Sequence, residues 1–366
     1  MAVSGSDKVF LAAGQIDLAQ DGHDYSVRRE ENDPEEGERS MNWREHPWAG
    51  VFAATLCPFQ EDESLDEAGL CGYIKEVAEV PGICGVVCNG HTGEIMSLRP
   101  EERSRVTAVV AGAVRSAGRP VKVVSGVSAE GSLEAIDRAR EAREAGADGI
   151  LLMPPHHWLR FGRTSRTAVG FFEDTAEAGV PIIVHQYPAW TKASYTLAEM
   201  LEIVRIPQVV CIKMGTRDMA RWRFDYEKLK SAAPEVPILT CHDEYLLASL
   251  LEGADGALVG FAGFAPELIV RIVHAALDGN LEAARAARSE CDSLAHIIYG
   301  FGEPSCDAHQ RMKAARWLMG KFPSPTVRRP LRPLEPREIE RIARLLRAAG
   351  YPVARDWKGA QPPVPQ

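Results

Sequence analysis

Eight short apolar runs recur along the chain, and their alternation with amphipathic segments restricts the fold more than any other feature. The runs are GVFAATLC (50–57), ICGVVCN (83–89), PVKVVSGV (120–127), DGILLMP (148–154), PIIVHQY (181–187), QVVCIK (208–213), PILTC (237–241) and DGALVGF (255–261). They are nearly continuous in apolar residues, the texture of parallel strands covered on both faces. The intervals between them hold one helix and two loops each. SLDEAGLCGYIKEVAEV carries Ser64 and Glu67 at the spacing of a capping box, and TLAEMLEIV repeats it with Thr196 and Glu199. Pro100 suits a first helical turn, and Gly146 suits the position just past a helix end. Eight strand–helix units in series predict an α/β fold, a (β/α)8 TIM barrel over 46–262. The competing architecture is an open doubly wound sheet. No G-x-G-x-x-G follows the first run, which weakens that alternative.

After Phe261 no further run of this kind occurs. Residues 263–350 predict a C-terminal helical region interrupted by FPSPTVRRPLRPLEP, and 351–366 a tail. Residues 1–45 predict a polar N-terminal extension, with RREENDPEEGERS at 28–40. The net charge of −9, with no basic stripe, argues against a nucleic-acid partner. No apolar run approaches the roughly 18 residues that cross a bilayer, and the N-terminus lacks a signal-peptide core. The eight cysteines, at 57, 71, 84, 88, 211, 241, 291 and 306, form no C-x-x-C. They are expected to be free thiols in a reducing cytoplasm.

Function in such a barrel sits at the C-terminal ends of the strands. Five of the ten histidines fall there: His91 after strand 2, His156 and His157 after strand 4, His185 at the end of strand 5 and His242 after strand 7. Lys213 ends strand 6. Side chains alternate between faces along a strand, so Cys211 and Lys213 share one face, as do Ile183 and His185. If those faces point into the barrel mouth, Lys213 and His185 meet on neighbouring strands. A lysine at a strand end is also where a strand leaves for solvent, and a lone histidine is often a core or surface residue. A mouth lysine offers Schiff-base chemistry. Its free amine is scarce at neutral pH, because the ordinary pKa is about 10.4. Apolar surroundings such as VVCIK disfavour the ammonium and release the nucleophile. An imine with a 2-oxo acid then acts as an electron sink, needing neither organic cofactor nor metal.

Three stretches carry a resemblance to a known family. NGHTGE (89–94) is similar to the G-T-T-G-E loop, HQYPAWT (185–191) to Y-N-V-P-x-R-T, and VVCIKMGTRD (209–218) to the strand bearing the Schiff-base lysine, in the dihydrodipicolinate synthase / N-acetylneuraminate lyase family of class I aldolases. EGADGALVG and RRPLRPL extend the likeness over about residues 47 to 350. The resemblance implies that Lys213 forms the imine with pyruvate or a pyruvoyl compound. It implies that Thr92 and the backbone amides of Gly90–Gly93 hold the carboxylate, that the Leu258 carbonyl lies beside the keto acid, and that Glu94 braces the loop. It also implies a homodimer or homotetramer. The departures are informative. His185 stands for the proton-transfer tyrosine, His91 for the first loop threonine, and His157 (or His156) for a tyrosine donated across the dimer. Imidazole, with a pKa near 6.5, is better matched to neutral pH than a phenol. Tyr187 is an alternative source of the hydroxyl, and His242 joins the binding residues. Trp190 replaces the arginine that binds an amino-acid carboxylate. With Trp158, Phe261 and Phe264 it would form an apolar or aromatic acceptor pocket.

These readings predict a pyruvate-type lyase or aldolase whose acceptor aldehyde is apolar or aromatic rather than aspartate semialdehyde. Three alternatives stay open. One is a dehydratase of a sugar-derived 2-oxo acid using the same imine. Another is a metal-dependent enzyme built on His91, His157, His185 and His242. The third is a barrel that binds a 2-oxo acid without turnover.

Overall fold

A computed structural model describes residues 42–188, 191–300 and 307–355. Eight parallel strands close in sequence order, with β8 pairing back to β1. They are β1 (Gly50–Ala54), β2 (Ile83–Cys88), β3 (Lys122–Val127), β4 (Gly149–Leu152), β5 (Ile182–Gln186), β6 (Val209–Met214), β7 (Ile238–Thr240) and β8 (Gly256–Val259). The helices are α1 (Glu67–Glu79), α2 (Pro100–Ser116), α3 (Ser132–Glu144), α4 (His157–Phe161), α5 (Ser165–Ala176), α6 (Leu197–Ile203), α7 (Met219–Ala232), α8 (Leu246–Leu251), α9 (Gly260–Phe264), α10 (Pro266–Leu277), α11 (Leu281–Tyr299), α12 (Ala308–Leu318) and α13 (Pro336–Ala348). This is the expected TIM barrel with a helical C-terminal region. Each strand lies within or one residue beyond its apolar run.

The alternation of side chains divides the core in two. Phe52, Val87, Val124, Leu151, Ile183, Cys211, Leu239 and Leu258 point inward, one from each strand, and fill the barrel, with Trp48 and Ala54 completing the cluster. The opposite faces pack against the helical shell. Cys211 therefore faces inward, and so does Lys213 two residues on.

Local signals explain most helix starts. Thr196 and Glu199 form the predicted capping box of α6, Pro100 opens α2, and Gly146, at φ +100°, follows α3. One start differs. Asp66, not Ser64, caps α1 by accepting from the Gly69 N–H at 2.9 Å. Ser64 instead donates to Asp62, two residues back. The boundary at 263 also shifts. α10 packs against β1 and β8 as the last helix of the barrel wall, so the appended helices begin with α11.

Both ends are more structured than the polar reading implied. The Trp43 ring lies 4.8 Å from that of His274, and Arg44 bonds Asp278 at 2.6 Å, so the last residues of the expected extension dock on α10. The Ala354 and Arg355 N–H groups donate to the Leu318 carbonyl at 2.8 and 3.1 Å, so the expected tail begins as a strap across the end of α12. The remainder of both segments lies outside the described residues. Among the described residues no helix is long and apolar enough to cross a membrane.

Candidate active site

The strands β5 and β6 pair so that His185 and Lys213 are direct partners. Gly215 lets β6 leave the barrel tightly against β5: a Cβ there would sit 2.2 Å from the Gln186 carbonyl oxygen. Gln186 points the other way and anchors the following loop. Its amide donates to the Tyr195 carbonyl and its Oε1 accepts from the Tyr195 N–H, both at 2.8 Å. That anchoring positions Tyr187, whose hydroxyl is 3.0 Å from His91 Nε2. The His185 ring lies 4.7 Å from Tyr187 and 5.5 Å from His91. Four predicted residues, Lys213, His185, His91 and Tyr187, therefore converge at the mouth.

The 89–94 turn is held from both sides. Asn89 adopts φ +53° and its amide bonds Arg103, Thr107 and Ser125 at 2.9–3.0 Å. Glu94, also left-handed, takes the buried Lys313 ammonium on Oε1 and the Arg328 N–H on Oε2 at 3.3 Å. Glu94 thus braces the turn, as expected. The expected anion cradle is narrower than predicted. The Gly93 N–H donates to the Gly90 carbonyl at 3.1 Å inside the turn. The His91 and Thr92 N–H groups bond no described residue, which leaves them to meet an anion. Thr92 is buried, and a Cβ on Gly90 would meet open space. Leu258 fills the barrel beneath this mouth.

Two of the other predicted site residues take different places. His242 is buried and stacked on Tyr245 with ring centroids 4.7 Å apart, close to the Gly215 and Thr216 backbone. His157 is exposed and turned away. His156 and His157 clasp the Glu130 carboxylate with their backbone N–H groups, both at 3.0 Å, and with Nδ1 at 3.3 and 2.8 Å. Adjacent residues opening a short helix share one acceptor there. Trp190 lies outside the described residues. The aromatic pocket expected from Trp158, Phe261 and Phe264 does not form, because all three are core residues with 2% exposure or less. Trp158 packs on Phe171 and Tyr195, and Phe261 on Phe264 and Tyr299. Nor do the histidines form a ligand set. Among the described residues no three His, Cys, Asp or Glu are arranged to hold a metal.

Burial dominates the electrostatics. It pushes the Lys213 amine below its ordinary value, with Cys241 and Asp243 pulling weakly the other way. Burial, and then the Lys213 ammonium, bring His91 down to about 3 and His185 far below the usual imidazole range. Burial, with Arg217 and Lys213, takes His242 to about 3. The match to neutral pH expected of imidazole is therefore absent. These rings stay uncharged at pH 7, as donors and acceptors rather than titrating bases.

Three further groups share the site. Cys241, one residue past β7 and with the parity of Leu239, lies within electrostatic reach of Lys213, and burial lifts its thiol to about 11. Asp243 is buried at the ends of β7 and β8, accepting from the Phe261 N–H at 2.8 Å and the Tyr299 hydroxyl at 2.7 Å. Burial lifts its carboxyl to about 7. His309 reaches the mouth from α12, and burial with Lys213 and Lys313 takes it to about 4. Strand parity was enough to find Cys241. A carboxylate just past β7 was a signal for Asp243. Nothing local pointed to His309.

An eight-stranded parallel barrel with a half-buried lysine at its C-terminal mouth, ringed by hydrogen-bonding side chains and facing a turn with open N–H groups, has the layout of an aldolase-type lyase. Comparison with known proteins agrees. The dihydrodipicolinate synthetase family model matches residues 47–349. A 4-hydroxy-tetrahydrodipicolinate synthase of Laribacter hongkongensis is 30% identical over 302 residues, covering 82% of this chain and 98% of the relative. An N-acetylneuraminate lyase of Rhizobium meliloti is 28% identical over 284 residues, 77% and 89% of the two chains. The structure of YagE from Escherichia coli K12 in complex with pyruvate superposes with a TM-score of 0.75 at 25% identity, covering 83% of this chain and 99% of that one. The chain belongs to the dihydrodipicolinate synthetase family and is an aldolase-type lyase.

Proposed function

We propose that the protein is a class I lyase in which Lys213 forms a Schiff base with pyruvate or the pyruvoyl half of a longer 2-oxo acid. The observation that carries this reading is the register pair His185–Lys213 at the mouth, where burial lowers the pKa of the amine. Burial disfavours the ammonium and so raises the share of free amine above that of an exposed lysine. The pyruvate bound in the YagE structure supports a 2-oxo acid as ligand. The carboxylate meets the His91 and Thr92 N–H groups and the Thr92 hydroxyl, and the Leu258 carbonyl lies beside the keto acid. Once the imine exists, cleavage of the bond between C3 and C4 sends its electron pair toward the iminium and leaves an enamine. His185, touching Tyr187, which in turn bonds His91, forms the relay that moves protons at C3 and at the C4 oxygen. All three are neutral at pH 7, so the relay works by concerted exchange along hydrogen bonds rather than by a standing imidazolium.

The groups around Lys213 are imidazoles, a phenol, a thiol and the Asp243 carboxyl, a lining suited to an uncharged acceptor aldehyde rather than aspartate semialdehyde. Trp190 in place of a carboxylate-binding arginine points the same way. A dehydratase would use the same imine. The convergence of four hydrogen-bonding groups without a described sugar-binding cluster favours cleavage. The exposed His157, hydrogen-bonded to Glu130, is free to meet a second copy of the chain in a homodimer or homotetramer. The test is a screen of 4-hydroxy-2-oxo acids carrying alkyl or aryl groups on C4 for pyruvate release, followed by lactate dehydrogenase. Release by the unaltered protein and none by Lys213→Ala is the expected result. Equal release by both would remove Lys213 from the chemistry.

A further inference from the structure

The helix α12 lies outside the eight strand–helix units, yet it roofs the mouth. Lys313, with no exposed side-chain surface, anchors it to Glu94 and to the Thr326 carbonyl at 2.9 Å. The Glu94 N–H in turn donates to the His91 carbonyl at 3.0 Å, so the anchor point is the turn that carries His91. On the other side, Met312 rests on the end of β8. A Cβ on Gly260 would meet Met312 Cε at 3.2 Å and Asp243 Oδ2 at 3.3 Å. The helix thus bridges the β2 turn and the β8 end.

His309 precedes Lys313 by four residues and so shares its helix face, one turn away. It is half-buried and lies within electrostatic reach of Lys213, Lys313 and His91. Below Lys213 the barrel is filled by Ile183, Cys211, Leu239 and Leu258, none with any exposed surface. A 2-oxo acid joined to Lys213, with its carboxylate at the 91–92 N–H groups, can extend past C3 only outward, toward the roof. A neutral imidazole there offers one N–H donor and one lone pair. That pairing suits a hydroxyl better than a carboxylate or a methylene.

We propose that His309 is a specificity-determining residue that hydrogen-bonds the oxygen on C4 of the bound 2-oxo acid. The inference rests on Lys213 forming the imine. Its test is competition of 4-hydroxy-2-oxopentanoate and of 2-oxopentanoate against borohydride trapping of labelled pyruvate, read before turnover accumulates. The unaltered protein should prefer the hydroxy acid by about fivefold, the size of one neutral hydrogen bond. His309→Ala should lower that ratio severalfold while the half-saturation for pyruvate itself changes less than about twofold. His309→Gln, which keeps a donor and an acceptor, should recover part of the preference. The inference is overturned if the unaltered protein shows no preference, if His309→Ala keeps it, or if pyruvate loses the same factor as the longer acids. No trapping in the unaltered protein would instead remove the imine at Lys213, and this assignment with it.

Discussion

Removing the ammonium of Lys313 should both unfold the protein more easily and loosen its carboxylate site. Its side chain has no exposed surface and that of Glu94 about 5%, so the pair is screened by protein, not water. Burial lowers the Lys313 amine even with Glu94 beside it. At an effective dielectric of about 20, two charges about 4 Å apart attract by roughly 4 kcal/mol. Lys313→Met leaves the Glu94 carboxylate with the Arg328 N–H at 3.3 Å as its remaining hydrogen bond among the described residues. Breaking a buried pair from one side costs about 3–5 kcal/mol, because the other charge stays buried. With a urea slope near 3 kcal/mol per molar, that is a fall of roughly 1–1.7 M in the unfolding midpoint. The double variant Lys313→Met/Glu94→Gln should recover at least about 1 kcal/mol, since the stranded carboxylate is gone. Because Glu94 ends the turn bearing His91 and Thr92, half-saturation by pyruvate in borohydride trapping should rise about tenfold in Lys313→Met. The reasoning fails if Lys313→Met costs under about 1 kcal/mol or if the two substitutions are additive.

Other outcomes follow from the site. His185→Phe should keep pyruvate trapping but slow turnover by about 10²-fold, the size of a lost proton-transfer group; unchanged turnover would exclude it as the main carrier. Lys213→Met removes a cation that lowers His91, His185 and His242, so their imidazole titrations, followed by NMR, should move upward; unmoved titrations would place the amine elsewhere. Asp243 has a folded-state pKa raised to about 7 from 3.8, so the native state holds its proton more tightly than the unfolded chain. Its contribution to stability is then lost as pH rises between those values. The melting temperature of Asp243→Asn relative to the unaltered protein should therefore climb from pH 4.5 to pH 8, and a pH-independent difference would contradict the assignment.

The barrel was legible because burial of a parallel sheet on both faces leaves an unbroken apolar run at each strand, and the runs come in a fixed rhythm. The same two-residue parity carried Lys213, His185 and Tyr187 to the mouth, because a strand's facing is set by counting. Loops and helices have no such rule. Trp158, Phe261 and Phe264 belong to segments just past strands, where aromatic residues serve the core as readily as a pocket, and the core took them. His157 was drawn aside by Glu130, 27 residues earlier in the chain, a contact only the fold brings together. His309 is 96 residues beyond Lys213 on a helix outside the strand–helix repeat, and its place depends on the Lys313–Glu94 pair across 219 residues. The expectation of imidazoles poised near neutral pH failed for a similar reason. Their ionisation is set by burial and by the lysine they surround, neither of which composition contains.

The most direct test is borohydride reduction of the full-length protein with pyruvate at neutral pH, followed by peptide mass analysis. The peptide containing Lys213 should carry the mass of one reduced pyruvyl group, the yield should rise with pH as the amine loses its proton, and Lys213→Ala should carry none. An adduct on another lysine, or equal labelling of Lys213→Ala, would contradict the account.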